Sequence, residues 1–339
     1  MGAIERVKKG IEVIRQGGIV VMIDEEEREN EGDLVYAGVF STAEKVNFLA
    51  KEGRGLICAA LTSQIAQRLG LNLMVEQNNS TFETAFTISV DARECTTGIS
   101  AFERDLTIRK LADPTATPTD FKKPGHLFPL IAKPGGVLVR TGHTEGSVDL
   151  CRLAGLYPVA VICEIMNPDG TMARRQELSR FAQKHNLPIV YISDLVEYRL
   201  QYESLVEQVE EGRIKLMGVE FKVYRFRDHL GRVHTVYANA VHSTTNLKVF
   251  RTTTIPNFIE KVFERFLTAV EYIKYNSGII LFLDIPKGDN KELGIGAQIL
   301  KKMGVKKVKV LHFSKEERKK DRQKNHPYIG LKGFGLEVE

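Results

Sequence analysis

Along the first two hundred positions, apolar residues fall in short runs separated by polar loops, as when strands alternate with amphipathic helices. Ile4, Val7, Ile11 and Ile14 keep helical spacing, and Gly17-Gly18 ends that helix. Ile19–Ile23 is a continuous apolar run, the pattern of a strand covered on both faces. Leu34–Phe40 predicts a second strand, and Ser41 with Glu44 predicts a capping box for a helix through Lys51. Further strands are predicted at Leu56–Leu61, Phe86–Val90, Val137–Arg140, Val159–Cys163 and Pro188–Ile192, and helices near Gln64–Leu69, Phe102–Leu111, Ser147–Ala154 and Arg174–Lys184. Residues 113–129 hold four prolines and predict an ordered loop rather than a helix or strand.

Beyond residue 200 the pattern changes. Phe221–Phe226 and Val233–Ala240 are candidate strands joined by the turn Arg227–Gly231. Phe258–Tyr275 places Ile259, Val262, Phe263, Phe266, Val270 and Ile273 on one helix face. Ile279–Leu283, Leu293–Met303 and Val308–Leu311 then predict a strand–helix–strand unit. Charge changes at the same place: residues 201–339 hold 25 Lys and Arg against 17 Asp and Glu, whereas residues 1–200 hold 23 against 26. A chain of 339 residues is long enough for two cores, so the expectation is an α/β (α+β) protein with a mixed-sheet domain over 1–199 and a smaller α/β domain over 200–339.

Composition narrows the class. Hydrophobic residues at 43% and charged residues at 27% are those of an ordinary globular protein. No apolar stretch has the length of a signal peptide core or a membrane span, so no membrane partner is expected. The four cysteines, Cys58, Cys95, Cys151 and Cys163, form no Cys-x-x-Cys pair, which suits reduced thiols in a cytoplasmic protein. The basic run Lys315–Lys324 is interleaved with acids and has no aromatic residue, so it reads as a solvated helix face and no nucleic-acid partner is expected.

Four loops of the first half carry candidate chemistry. Seven of the eleven residues in Ile23–Asp33 are acidic, a density that repels itself unless a cation sits within it. Pro124-Gly125-His126 can present an imidazole, and Arg140-Thr141-Gly142-His143-Thr144 offers a guanidinium, hydroxyls and amides at a helix start, with His143 free to ligate a metal. Glu164 is a lone carboxylate ending an apolar strand, placed for general acid or base work. Singly, each is more often structural: a solvated turn, a hydrogen-bonded histidine, an ion pair of Glu164 with Arg174 or Arg175.

Together the loops match a pattern. Residues 24–34 (Asp-Glu-Glu-Glu-Arg-Glu-Asn-Glu-Gly-Asp-Leu), 96–100 (Thr-Thr-Gly-Ile-Ser), 124–130 (Pro-Gly-His-Leu-Phe-Pro-Leu), 140–145 (Arg-Thr-Gly-His-Thr-Glu) and 169–174 (Asp-Gly-Thr-Met-Ala-Arg) occur in that order. The stretch Ile4–Tyr198 thereby resembles 3,4-dihydroxy-2-butanone 4-phosphate synthase of riboflavin biosynthesis. The resemblance implies conversion of D-ribulose 5-phosphate to L-3,4-dihydroxy-2-butanone 4-phosphate and formate with Mg²⁺, or Mn²⁺, two ions per site. It implies that Glu29 and His143 hold the metal, that Arg28 and Asp33 contact the sugar, and that Arg140, Thr141, Gly142, His143 and Thr144 bind the phosphate. His126, Glu164 and Asp33 would move protons, and Glu31, Cys58 and Thr97 would line the site. Asp24 to Glu27 then read as the solvated part of the run. The site would lie in a homodimer interface, with His126 supplied by the partner subunit. Glu27 and Glu103 stand where the family usually has Asp, and Thr141 where it often has Gly.

The second half resembles GTP cyclohydrolase II in patches: Val241-His242-Ser243, Gly294–Leu300 and Gly330–Glu337. That family's zinc site uses three cysteines after the Val-His-Ser segment, and residues 201–339 contain none. Its Arg-Gln-Glu-Gly-Arg-Gly loop is missing as well; Leu283–Gly288 runs straight toward the glycine-containing helix. A degenerate domain with no zinc and no cyclohydrolase activity is expected. The alternative, a bifunctional enzyme that retains GTP cyclohydrolase II activity, is discriminated by zinc content and GTP turnover.

Overall fold

A computed structural model describes residues 2–26, 28–251, 262–284, 293–313, 331 and 334–339. The chain divides into two compact units, Met1–Val137 with Thr141–Tyr198, and Leu138–Arg140 with Arg199–Glu339.

The first unit is built on a seven-stranded mixed sheet. Its strands are β1 (Val20–Ile23), β2 (Gly32–Ala37), β3 (Cys58–Thr62), β4 (Val90–Ala92), β5 (Phe121–Ala132), β6 (Val159–Glu164) and β7 (Ile189–Tyr191), in the order β4-β5-β3-β6-β2-β1-β7. β1–β2, β2–β6, β3–β6 and β4–β5 pair antiparallel, while β1–β7 and β3–β5 pair parallel. The helices are α1 (Ala3–Arg15), α2 (Ala43–Phe48), α3 (Ser63–Arg68), α4 (Ala101–Leu111), α5 (His143–Leu153), α6 (Arg175–Lys184) and α7 (Ile192–Leu200).

Side-chain alternation sorts the strands into two faces. Val21, Ile23, Leu34, Tyr36, Ala59, Leu61, Val161 and Cys163 join one apolar core with Val46 of α2, Ile65 of α3, Ile108 and Leu111 of α4, and Leu178 of α6. Each large apolar side chain so buried contributes about 1.5–3 kcal/mol. The opposite parity carries Asp33, Cys58, Ile162 and Glu164, and α5 packs against β1, β2, β3, β5 and β6. A one-residue slip of β2 would turn Asp33 into the apolar core, so register itself places this carboxylate.

Several sequence expectations are corrected here. The loop predicted over 113–129 is strand from Phe121 onward, the first part of β5: Pro124 falls where the β4 pairing jumps from Leu127 to Lys122, and the carbonyl of Pro129 is used by the Thr87 amide (2.9 Å), so neither proline breaks a required bond. Phe86–Val90 is not a full strand; Phe86 and Thr87 make isolated bridges before β4. Val137–Arg140 is no strand, since Gly136–Leu138 forms a 3₁₀ turn. The cap of α2 is Thr42, whose hydroxyl accepts the Lys45 amide, while Ser41 pairs with the Tyr36 hydroxyl. That helix then widens into a π turn, Leu49–Gly53.

The second unit is a larger sheet than its sequence suggests. β8 (Val206–Leu216), β9 (Val219–Asp228), β10 (Val233–Ala240), β11 (Thr244–Arg251), β12 (Gly278–Leu283), β13 (Lys307–Val310) and β14 (Glu337–Val338) run in the order β14-β13-β11-β12-β10-β9-β8. The β11–β14 side is parallel and the β8–β10 side antiparallel. Helix α8 (Phe263–Asn276) presents Ala269, Val270 and Ile273 to Phe221, Phe250, Ile280 and Leu311, and the rings of Phe250 and Phe282 stack 5.1 Å apart. Helix α9 (Leu293–Lys302) follows β12. The predicted helix start at 258–261, the 285–288 part of the shortened loop, the run Lys315–Lys324 and Gly330 lie outside the described residues. No helix among the described residues is long and apolar enough to cross a membrane.

Candidate active site

The loop between β1 and β2 is folded around Asp24. Its carboxylate is buried and accepts the amides of Glu29 (3.2 Å) and Glu31 (2.9 Å) and the Arg28 guanidinium (2.8 Å). The solvated reading of Asp24 is therefore corrected: this acid is the inner post of the loop. Glu26 is exposed and pairs with Arg175 at 2.9 Å, and Glu27 lies outside the described residues. Arg28 also reaches Glu29 (2.7 Å), so the guanidinium is held between two carboxylates. Burial works against its charge, yet Glu29 and Asp24 outweigh burial and hold its pKa above the usual value.

His143 opens α5 from the opposite side of the site, behind Gly142 as the N-cap. Its Nδ1 lies 3.4 Å from Glu29 Oε2 and its Nε2 lies 4.0 Å from Asp33 Oδ1. Burial is the largest influence on the imidazole and disfavours the cation, but Asp33, Glu29 and Asp24 overcome it and push the pKa up to about 10. Asp33 is pushed up to about 8, chiefly by burial, with His143 opposing and Glu164 and Glu29 adding to the rise. Glu31 is also raised, by burial first and then by Glu29.

This cluster fits a divalent cation. Ligand atoms of Asp24, Glu29 and His143 lie within 4.8 Å of one another. Asp33 Oδ1 and His143 Nε2 are buried and have no hydrogen-bond partner among the described residues. Carboxylates with one imidazole suit Mg²⁺ or Mn²⁺.

Glu164 stands beside it, paired in register with Asp33. Its Oε2 accepts the Leu56 amide at 2.8 Å. That contact needs Gly55, because a Cβ there would meet Glu164 backbone and carboxylate atoms at 2.5–2.7 Å. His126 lies elsewhere, on the far part of β5. Its Nδ1 is 2.8 Å from Asp91 Oδ2, and Asp91 Oδ1 accepts the His126 amide, also at 2.8 Å.

The chain that carries these residues is similar to known proteins. Residues 8–198 match the family 3,4-dihydroxy-2-butanone 4-phosphate synthase. The synthase of that name from Wolinella succinogenes is 51% identical, covering 99% of this chain and 96% of its own. The chain belongs to this synthase family. A two-domain 3,4-dihydroxy-2-butanone 4-phosphate synthase from A. baumannii superposes with a TM-score of 0.70 at 37% identity, covering 98% of each chain. A solved 3,4-dihydroxy-2-butanone 4-phosphate synthase in complex with two magnesium ions gives 0.56 at 42% identity, covering 58% of this chain and 97% of that one.

Within the synthase, the expected site residues form two groups. Arg28, Glu29, Glu31, Asp33, His143 and Glu164 converge, and Thr141, Gly142 and Thr144 flank His143 at the start of α5. Cys58 lies on the same sheet face as Asp33 and Glu164, but burial and then their charges raise its thiol well above the ordinary range, so it is held neutral there. Arg140 is buried. His126 and Thr97 form the second group: Gly98, next to Thr97, leaves room only for a hydrogen beside Asp91 and His126, since a Cβ would sit 2.1 Å and 2.6 Å from them. Glu103 organises that loop, accepting from Thr96, Thr97, Gly98 and Ser100. Sequence reasoning missed Asp24 as an anchor and Asp91 altogether. In a sequence nothing separates a buried carboxylate from a solvated one.

Proposed function

We propose that the synthase converts D-ribulose 5-phosphate to L-3,4-dihydroxy-2-butanone 4-phosphate and formate, with Mg²⁺ or Mn²⁺ held by Glu29 and His143. The observation that carries this is the meeting of those two residues, more than a hundred positions apart, beside the buried carboxylates of Asp24 and Asp33. When bound, the cation supplies positive charge where negative charge develops beside the ketone; the relative crystallised with two magnesium ions supports a pair of ions.

The chain's own groups have separable tasks. Arg28, braced by Asp24 and Glu29, orients sugar hydroxyls. Asp33, buried opposite His143, and Glu164, held by the Leu56 amide, are the carboxyl groups placed to move protons at the sugar. Glu31 and Cys58 shape the sugar pocket of their own chain, while Thr97, on the loop beside His126, lines the pocket of the partner's site. The amides at the α5 start, with Thr141, Thr144 and Arg140, receive the phosphate.

His126 acts in the partner's site of a homodimer. Two strands, β3 and β6, stand between its strand and that of Asp33, a backbone separation of about 14 Å. That separation supports a site in which His126 comes from a second copy of the chain.

Residues 1–199 are then the catalytic domain, and residues 200–339 a GTP cyclohydrolase II-like domain without cyclohydrolase activity. The absence of cysteine from 201–339 supports this, because no thiolate is there to close a zinc site. The protein is assigned to the cytoplasm on its four reduced cysteines. Formate release from ribulose 5-phosphate, measured with Mg²⁺ and with chelator, tests the reading. Turnover that survives both Glu29→Gln and His143→Ala would refute the metal pair.

A further inference from the structure

The turn after β6 is a strongly specified piece of chain with no part in the chemistry above. The Asn167 amide donates to the Thr171 carbonyl (2.8 Å), and the amide and hydroxyl of Thr171 both reach Asp169 Oδ1 (3.0 and 2.7 Å). Met166 bridges Met172, and the Ala173 amide returns to the Ile165 carbonyl at 3.0 Å. This is the segment Asp169–Arg174, and its effect is to bring Arg174 back beside the acidic loop. The Arg174 amide is fixed by Glu177 Oε2 at 3.1 Å. Its Nη1 donates to the carbonyls of Glu29 (2.7 Å) and Asn30 (2.6 Å), with Glu31 Oε1 at 3.7 Å.

The backbone of 29–31 is thus gripped from two sides. Asp24 takes the N–H groups of Glu29 and Glu31, and Arg174 takes the carbonyls of Glu29 and Asn30. Asn30 sits at φ 56°, in the left-handed region that asparagine enters more readily than most side chains, and the bonds on either side hold it there. The mutual repulsion of the surrounding carboxylates would otherwise open the loop.

We propose that Arg174 is a positioning residue: it clamps the Glu29 backbone and sets the Glu29 carboxylate opposite His143 before the cation arrives. This rests on the reading of Glu29 and His143 as the metal pair. The neighbouring Arg175–Glu26 pair is about half exposed on both sides and holds only the rim of the loop. Because a single Arg174 nitrogen spans both carbonyls, a lysine ammonium can reproduce the contact and alanine cannot.

Mn²⁺ binding to the full-length protein without substrate, followed by electron paramagnetic resonance, tests this on the wild type and on Glu29→Gln, Arg174→Ala, Arg174→Lys and Arg175→Ala. Arg174→Ala is expected to weaken Mn²⁺ binding about tenfold, the scale of one charged hydrogen bond, at an unchanged thermal midpoint. Arg174→Lys should restore most of the affinity, and Arg175→Ala should bind as the wild type does. Wild-type affinity in Arg174→Ala, or a lysine variant no better than alanine, overturns the clamp. Should Arg174→Ala not fold, Arg174→Gln takes its place under the same criteria. Wild-type affinity in Glu29→Gln overturns the metal pair itself, whatever Arg174 does.

Discussion

Asp91 holds His126 by two bonds, one oxygen on the imidazole Nδ1 and the other on the backbone amide of the same histidine. The carboxylate makes Nδ1 the donor and, in the proposed mechanism, leaves Nε2 as the atom that would meet substrate. Asp91→Asn should keep the fold and lower kcat roughly 10- to 100-fold with little change in KM. Steady-state kinetics of formate release decides; an unchanged kcat would remove His126 from proton transfer.

Mixing two inactive variants tests the shared site. His126→Ala and Glu164→Gln, dissociated together and re-paired at random, should recover about a quarter of wild-type activity, because half the dimers are mixed and each carries one intact site. No recovery would place His126 in its own chain's site.

Gly55→Ala should misplace Glu164 without touching substrate. A Cβ 2.5–2.7 Å from Glu164 backbone and carboxylate atoms forces the strand end to shift, at a cost of about 1–3 kcal/mol. Denaturant titration should show that loss, and turnover should fall while Mn²⁺ binding persists.

The loop over 96–100 should be acid-sensitive through Glu103. Bonds from the Thr96 hydroxyl and amide lead the set that lowers its pKa from 4.5 to about 2. A lowered carboxylate stabilises the fold above its unfolded value and loses that contribution as pH falls from about 4.5 toward 2. Acid unfolding of Glu103→Gln should lack this slope, so its stability meets that of the wild type at the acid end, falls behind it between about 2 and 4.5, and stays lower by a constant margin above 4.5.

The second unit should neither bind zinc nor turn over GTP. Elemental analysis of the purified protein should find no stoichiometric zinc, and GTP should release neither pyrophosphate nor formate. Either product would restore the bifunctional reading.

Legibility followed the physical origin of each element. β1, α1 and α6 were legible because continuous burial and helical spacing leave marks in the order of apolar residues. β8 was not, since an edge strand with only Val206 buried has no apolar pattern to show. β5 was masked by prolines that tertiary pairing accommodates. The acidic loop announced itself by charge, but not which acid turns inward.

From its own order of residues the chain determined a mixed α/β protein, its change of character near residue 200, and the loops where chemistry gathers. Those follow from local spacing, charge and motif. Only the tertiary structure decided that Asp24 is a buried post, that Asp91 steers His126, and that Arg174 returns to the carbonyls of Glu29 and Asn30. It also separated His126 from Asp33 by two strands. Such relations depend on register and on chain returning from far away, and neither is written in any local stretch of sequence.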